Sequence, residues 1–176
     1  MILSPLENTA ELTWTLQWRQ VRPFVTQIFG INKEIYRQFG LVGHNGIDLR
    51  CKVGTPVFSP CEGEVKTGDE GEEGYGLHVK IREKIFGREI VIAHLSELAV
   101  KNGQYLKLGE LIGLSGDTGF STGPHLHIGL RFLVRNDDKN IWKWLVKEYS
   151  NGFKGYRDIL GSMITFKGTL DKNSIF

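Results

Sequence analysis

Of 176 residues only two are cysteine, Cys51 and Cys61, and five are proline. Two thiols are too few for a disulfide framework, and they lack the close Cys-Cys pairing of structural zinc sites. They flank a Gly-Thr-Pro turn, so one bridge between hairpin neighbours stays open, but two small, partly buried side chains is the preferred reading. No apolar run approaches the eighteen or so residues that span a bilayer, which excludes a helical membrane span. The opening Met-Ile-Leu-Ser-Pro-Leu-Glu has no basic stretch and no long apolar stretch, so no Sec-type signal peptide is expected and the chain reads as soluble. Net charge is scarce as well: 22 basic against 20 acidic residues leaves +2, with a pI near 8.5. Nucleic-acid binders concentrate Lys and Arg on one face, and this balance argues against such a partner. It suits an ordinary enzyme surface and one that meets an anionic polymer equally well.

What is present is a globular composition: 40% hydrophobic, 24% charged, mean hydropathy -0.20. A chain of this length fits one domain that buries roughly 70% of the surface its unfolded form exposes. No linker or internal repeat divides it.

Periodicity predicts strands. Leu12, Trp14, Leu16 and Trp18 alternate with polar residues, which predicts an N-terminal strand over 12–18. Residues 22–30 read as a short strand stopped by Gly30, and 31–40 as a turn or short helix. From Gly43 to Phe132 glycines recur between β-branched runs: 55–58, 63–66, 77–82 and 89–93. Two short strands follow within 102–116, then a loop over 117–124 and a strand over 125–132. The pattern predicts an antiparallel, mainly β domain. Leu77, Val79 and Ile81 alternate with His78, Lys80 and Arg82, so the latter three read as facing water. One helix is expected over 138–149, with Ile141, Trp142, Leu145, Val146 and Tyr149 on one face and Gly152 beyond its end.

Four of the five histidines make chemical sense together. His44 precedes Asp48 by four positions, His94 follows a strand, and His125 and His127, two apart in a strand, point the same way. Catalytic zinc sites use three protein ligands, often two imidazoles and a carboxylate, and keep the fourth position for water. His44, Asp48 and His127 meet that count. His94 and His125 would then act as general base or as hydrogen-bond donor to a developing oxyanion.

The segments Gly43-His-Asn-Gly-Ile-Asp48, Ala93-His-Leu-Ser96 and Ser115-Gly-Asp-Thr-Gly-Phe-Ser-Thr-Gly-Pro-His-Leu-His127 resemble the lysostaphin and LytM-type zinc endopeptidases. The likeness covers about Phe24 to Phe132 and takes in 54–57, 63–65 and 103–113. It implies a core of about 24–132, and the expected single domain of 1–176 has the 12–18 strand and a 133–176 extension packed on that core. The implied fold has antiparallel sheets and hairpins like a duplicated hybrid motif, enclosing a groove, to which the short C-terminal helix read from periodicity is added. It further implies one Zn2+ per chain on His44, Asp48 and His127, with His94 and His125 as catalytic non-ligands. The implied reaction is hydrolysis of peptidoglycan stem peptides or cross-bridges through a metal-bound water. Asn151-Gly-Phe-Lys-Gly-Tyr156 resembles the tail of some phage-associated members, so action on a cell wall from a phage or virion is a further implication. Cys61 replaces a small residue, and Leu77-His78 stands where a polar-aromatic pair is frequent. Neither departure touches the five site positions.

Blander readings compete. Taken alone, His44 and Asp48 would be a surface residue and a turn cap; five matching positions outweigh that. His78 is left out of the site as solvent-facing. The glycine-rich 116–123 loop lacks the Lys-Ser/Thr ending of a phosphate loop and precedes a strand, so it reads as a wall of the cleft. Trp14, Trp18, Trp142 and Trp144 read as core, not as a glycan platform. Two other functions stay in view: a non-catalytic binding or structural module in a virion or envelope, and a lipoyl- or biotinyl-type carrier with Lys107 at a turn tip. The carrier would have no use for the histidines.

Overall fold

The computed structural model describes residues 25–134 and 145–159. The strand expected over 12–18 and all four tryptophans lie outside the described residues. The strands are β1 (Val25–Gln27), β2 (Ile47–Arg50), β3 (Pro56–Phe58), β4 (Gly63–Asp69), β5 (Leu77–Glu83), β6 (Arg88–Leu98), β7 (Tyr105–Leu106), β8 (Leu111–Ser115), β9 (His125–Val134), β10 (Leu145–Val146) and β11 (Tyr156–Arg157). A single turn of helix, α1 (Lys33–Tyr36), continues into a 3-10 turn at Arg37–Phe39. Every pairing is antiparallel, and the main path runs β1-β2-β9-β6-β5-β4-β7. β8 pairs with β6 and with β3. The mainly β, antiparallel expectation is met, and each run predicted between 55 and 132 forms a strand.

Period-two alternation gives this sheet two unlike faces. One carries Ile47 and Leu49 of β2, Leu126, Ile128 and Leu130 of β9, Ile90 and Ile92 of β6, and Val79 and Ile81 of β5, all at most 4% exposed. Val57, Val65, Leu106 and Ile112 join the same core. Each such side chain contributes about 1.5–3 kcal/mol when fully buried. Truncating Ile128 in the middle strand to Ala would cost about 2–5 kcal/mol through lost burial and a cavity.

The opposite face is polar, and the register fixes its members. Asp48 pairs with His127, Ala93 with His127, Glu89 with Arg131, and Arg82 with Glu89. In cross-strand pairs side chains share a face. Asp48, His127, Arg131, Glu89, Arg82, Lys80 and His78 therefore line one surface. Tyr75 and Tyr156 lie over it, their ring centroids 6.5 Å apart, with the Arg131 guanidinium 5.0 Å above the Tyr156 ring.

That cover corrects one expectation. His78 is on the polar face, as alternation predicts, yet it is 3% exposed. Nδ1 donates to the Gly76 carbonyl at 2.8 Å, and the ring centroid lies 5.6 Å from that of Tyr75, because the 70–76 loop folds back over this end of the sheet. The polar face is a cleft floor rather than open surface.

The expected 138–149 helix is corrected over its described part. Leu145 and Val146 form β10, paired with Val134 and Leu133 at the end of β9. The backbone of Lys147 donates to the Phe132 carbonyl at 2.8 Å, so this segment satisfies polar groups at the end of β9 that would otherwise lack partners. Turns with Glu148, Gly152 and Lys154 in the left-handed region then lead to β11, which pairs with β9 at Arg131 and Leu130. Cys51 and Cys61 are free thiols, and burial pushes the Cys61 pKa up to about 12, leaving it unreactive. No helix among the described residues is long and apolar enough to cross a membrane.

Candidate metal centre

His44, Asp48 and His127 come from two adjoining places: the run into β2 and the start of β9. They present three potential ligand atoms to one point. His44 Nε2 is 2.9 Å from His127 Nδ1 and 3.1 Å from Asp48 Oδ1, and Asp48 Oδ1 is 3.0 Å from His127 Nδ1. All three residues are at most 5% exposed. A tetrahedral site with bonds of about 2.0–2.1 Å separates its ligand atoms by roughly 3.3 Å, so only a small relaxation separates this triangle from a coordination sphere.

The chemistry of the set agrees with the geometry. A carbonyl can only accept, so His44 Nδ1 donates its hydrogen to Ile28 O at 3.1 Å, and the neutral ring has its lone pair on Nε2. That lone pair faces the Asp48 carboxylate oxygen, which is also an acceptor. Two acceptors at this distance in a buried pocket repel unless a proton or a cation lies between them. Burial alone would raise the Asp48 pKa, but the imidazoles of His127 and His44 beside it outweigh burial and hold the carboxyl well below the usual range. Burial pushes His127 down, which favours the neutral, metal-ligating imidazole. Among the described residues these three form a group of His, Asp, Glu or Cys able to hold a metal ion.

Gly46, between His44 and Asp48, is part of the construction. A Cβ there would sit 2.3 Å from the Ile128 carbonyl oxygen and 2.7 Å from His127 Cε1. Only glycine lets this segment lie so close to β9.

His94 and His125 occupy the cleft beside the triad, with ring centroids 4.6 Å apart. Between pairings with Leu77 and Val79, β6 advances from Leu95 to Ile92 while β5 advances only two residues, so β6 carries a bulge at Ala93-His94. His94 adopts φ +63°, a left-handed conformation that His tolerates better than branched residues. Its backbone N–H donates to Tyr75 O at 3.1 Å and its Nδ1 to Thr118 O at 2.7 Å. His125 Nδ1 donates to Gly123 O at 2.7 Å, and its Nε2 lies 3.6 Å from Asp48 Oδ2. Donation from Nδ1 leaves each neutral ring with its lone pair on Nε2, able to take a proton and, once protonated, to give it. Burial, then the proximity of His127 and His125, lowers the His94 pKa to about 4, so it is neutral at pH 7.

The cleft of about 680 Å³ around these residues is also lined by Tyr36, Phe39, Phe120, Glu70 and Lys80. Phe39 and Phe120, from opposite walls, meet edge-on with centroids 5.0 Å apart. All five sequence-predicted site residues are therefore together. Sequence reasoning missed Asn45, whose Nδ2 donates to the Tyr75 hydroxyl at 2.6 Å, and Tyr75 itself. It also missed the Glu89 carboxylate, which accepts from Arg82 Nε and Arg131 Nε, each at 2.7 Å. The Gly-Tyr-Gly before β5 is the only signal for Tyr75, and it does not separate a site residue from a loop aromatic.

A model of peptidase family M23 matches residues 42–140. An uncharacterized metalloprotease of Haemophilus influenzae is 48% identical over 86 residues, covering 48% of this chain and 18% of that protein. The peptidoglycan DD-endopeptidase ShyA of Vibrio cholerae is 39% identical over 101 residues, 57% of this chain and 22% of that one. The chain thus spans about a fifth of the length of these relatives. The crystal structure of a zinc-containing peptidase from Vibrio cholerae superposes with a TM-score of 0.54 at 31% identity, covering 61% of this chain and 33% of that one.

Proposed function

Because the chain belongs to peptidase family M23, we propose that it is a zinc-dependent endopeptidase acting on peptide bonds in peptidoglycan stem peptides or cross-bridges. The observation that carries this is the buried triangle of His44 Nε2, Asp48 Oδ1 and His127 Nδ1, with edges of 2.9 to 3.1 Å. These residues would hold one zinc ion, which when bound polarises a carbonyl and lowers the pKa of a water to about 7. The His44–Ile28 bond fixes which nitrogen faces the ion. His94, neutral and anchored through Nδ1, offers Nε2 as the base that removes a proton from the attacking water. His125, anchored in the same way and nearer the open side, would in its protonated form donate from Nε2 to the oxyanion or the leaving amine. ShyA, by its name, acts on peptidoglycan, and the likeness to it supports the substrate class.

The test is zinc content of the purified chain together with release of new amino termini from isolated peptidoglycan, before and after chelation and zinc return. One zinc per chain and chelator-sensitive cleavage, both lost in His127→Ala, is the expected result. Full cleavage by a folded His127→Ala protein would sink the reading. Zinc-free protein without cleavage would favour a non-catalytic module.

A further inference from the structure

Around the triad, ligand orientation is unevenly secured. His44 is held from behind by the Ile28 carbonyl. His127 has no such restraint: its Nε2 is buried and makes no hydrogen bond among the described residues. Metal-binding imidazoles ordinarily donate their second nitrogen to a carbonyl or carboxylate, which sets the ring plane. Here packing must set it. One side of the His127 ring meets Gly46, as described, and the Tyr75 ring lies 5.4 Å from it at an interplanar angle of 32°.

Tyr75 also reaches the other histidine segments. Its hydroxyl accepts from Asn45, the residue next to His44, at 2.6 Å. Its carbonyl accepts the backbone N–H of His94 at 3.1 Å. The loop that carries it is itself clamped. Phe120 N–H donates to the Gly74 carbonyl at 2.8 Å and Leu77 N–H to Thr118 Oγ1 at 3.1 Å. The two loops approach so closely that a Cβ on Gly119, where φ is +78°, would lie 2.3 Å from Gly76 N. Glu70 Oε2 accepts from the Tyr75 N–H at 3.4 Å and Glu70 Oε1 from Lys80 at 3.3 Å, which ties the same loop to the floor.

We propose that Tyr75 is a positioning residue of the metal site: its ring sets the plane of His127, and its hydroxyl, through Asn45, sets the segment that presents His44. It touches no reacting atom and acts through the ligands. The inference rests on the zinc reading given above.

Zinc affinity of the full chain, measured by competition with a chromophoric chelator, tests it. Tyr75→Leu, which removes ring and hydroxyl, should weaken zinc binding about 10- to 100-fold. Tyr75→Phe, which keeps the ring, should recover most of that loss, with kcat lowered and KM within about twofold of wild type. The Tyr75 hydroxyl also bonds Tyr156, so Asn45→Ala should lose no more than Tyr75→Phe, and the double variant should be no weaker than Tyr75→Phe, which already removes the Asn45 contact. Tyr75→Leu with zinc affinity within about twofold of wild type would overturn the proposal. If Tyr75→Leu does not fold, additive losses in Tyr75→Phe and Asn45→Ala overturn it instead. A wild-type chain that takes up no zinc overturns the peptidase reading and this inference with it. A zinc-loaded wild type with indifferent variants overturns this inference alone.

Discussion

Asp48 and His127 stand directly opposite each other across the β2–β9 ladder, with Oδ1 and Nδ1 3.0 Å apart. The contact is a product of register. A slip of one residue would exchange Asp48 for Ile47 or Leu49 and turn the carboxylate into the apolar core. The hydrophobic residues that alternate with Asp48 and His127 therefore fix the ligand pair as firmly as the ligands' own chemistry does.

Replacing Asp48 by Asn keeps the shape and removes the charge that offsets a dication. Zinc affinity should fall by more than the roughly 10- to 100-fold that follows loss of an outer hydrogen-bond partner. Chelator competition reads this directly, and near-wild-type affinity would mean that Asp48 is not a ligand.

The two other histidines should separate from the ligands in experiment. His94→Ala and His125→Ala are expected to retain one zinc per chain while kcat falls about 10²- to 10⁴-fold, the usual range for loss of a general acid or base. Metal analysis and kcat on the same preparations check it. Loss of zinc in either variant would move that residue into the ligand set.

Much of this was legible in the sequence, and for identifiable reasons. His125 and His127 were readable as a convergent pair because a strand repeats every two residues, and β9 is a strand. The strands between 55 and 132 were readable from alternation bounded by glycine. For His78 alternation gives the face but not the burial. Alternation reports which side of a sheet a residue takes, not whether a distant loop such as 70–76 covers that side. Leu145 and Val146 carry a helical signal because Ile141, Leu145 and Tyr149 fit a 3.6-residue period. What decides their state is the end of β9 beside them, a partner more than ten positions away in sequence. Tyr75 and Asn45 were missed for the same reason: their roles exist only once two loops have met over the sheet.

Gly46→Ala tests the close approach of the His44–Asp48 segment to β9. The added methyl would meet the Ile128 carbonyl at 2.3 Å and His127 Cε1 at 2.7 Å, and backbone cannot yield as a side-chain tip does. Overpacking of this kind costs about 1–3 kcal/mol. Because the displaced atoms belong to a ligand, zinc affinity should fall together with the thermal midpoint. A variant with both unchanged would show that the segment has more room than the structure gives it.

Glu89 makes the acid sensitivity of the fold testable. The residue is 1% exposed, and its carboxylate accepts from Arg82 and Arg131 at 2.7 Å each. Burial alone would raise its pKa, but the guanidinium of Arg131 and the hydrogen bond from Arg82 outweigh it, so Glu89 titrates below its ordinary 4.5. As pH falls past that value the unfolded chain takes up the proton first. The stabilisation is therefore fully present above about pH 4.5 and is lost as pH drops through the lower folded pKa. Glu89→Gln removes this dependence and leaves two guanidiniums on the cleft floor without their carboxylate. Removing one partner of a fully buried pair costs roughly 3–5 kcal/mol, and because Arg82 and Arg131 reach partly into solvent, about 2–4 kcal/mol is expected near pH 7. Urea unfolding of the metal-free chain at about pH 7 and about pH 4 checks it. The wild-type midpoint should fall more steeply with pH than that of the variant, so that the two converge in acid. Parallel midpoints at both pH values would mean that the Arg82–Glu89–Arg131 bridge carries no proton-linked stability.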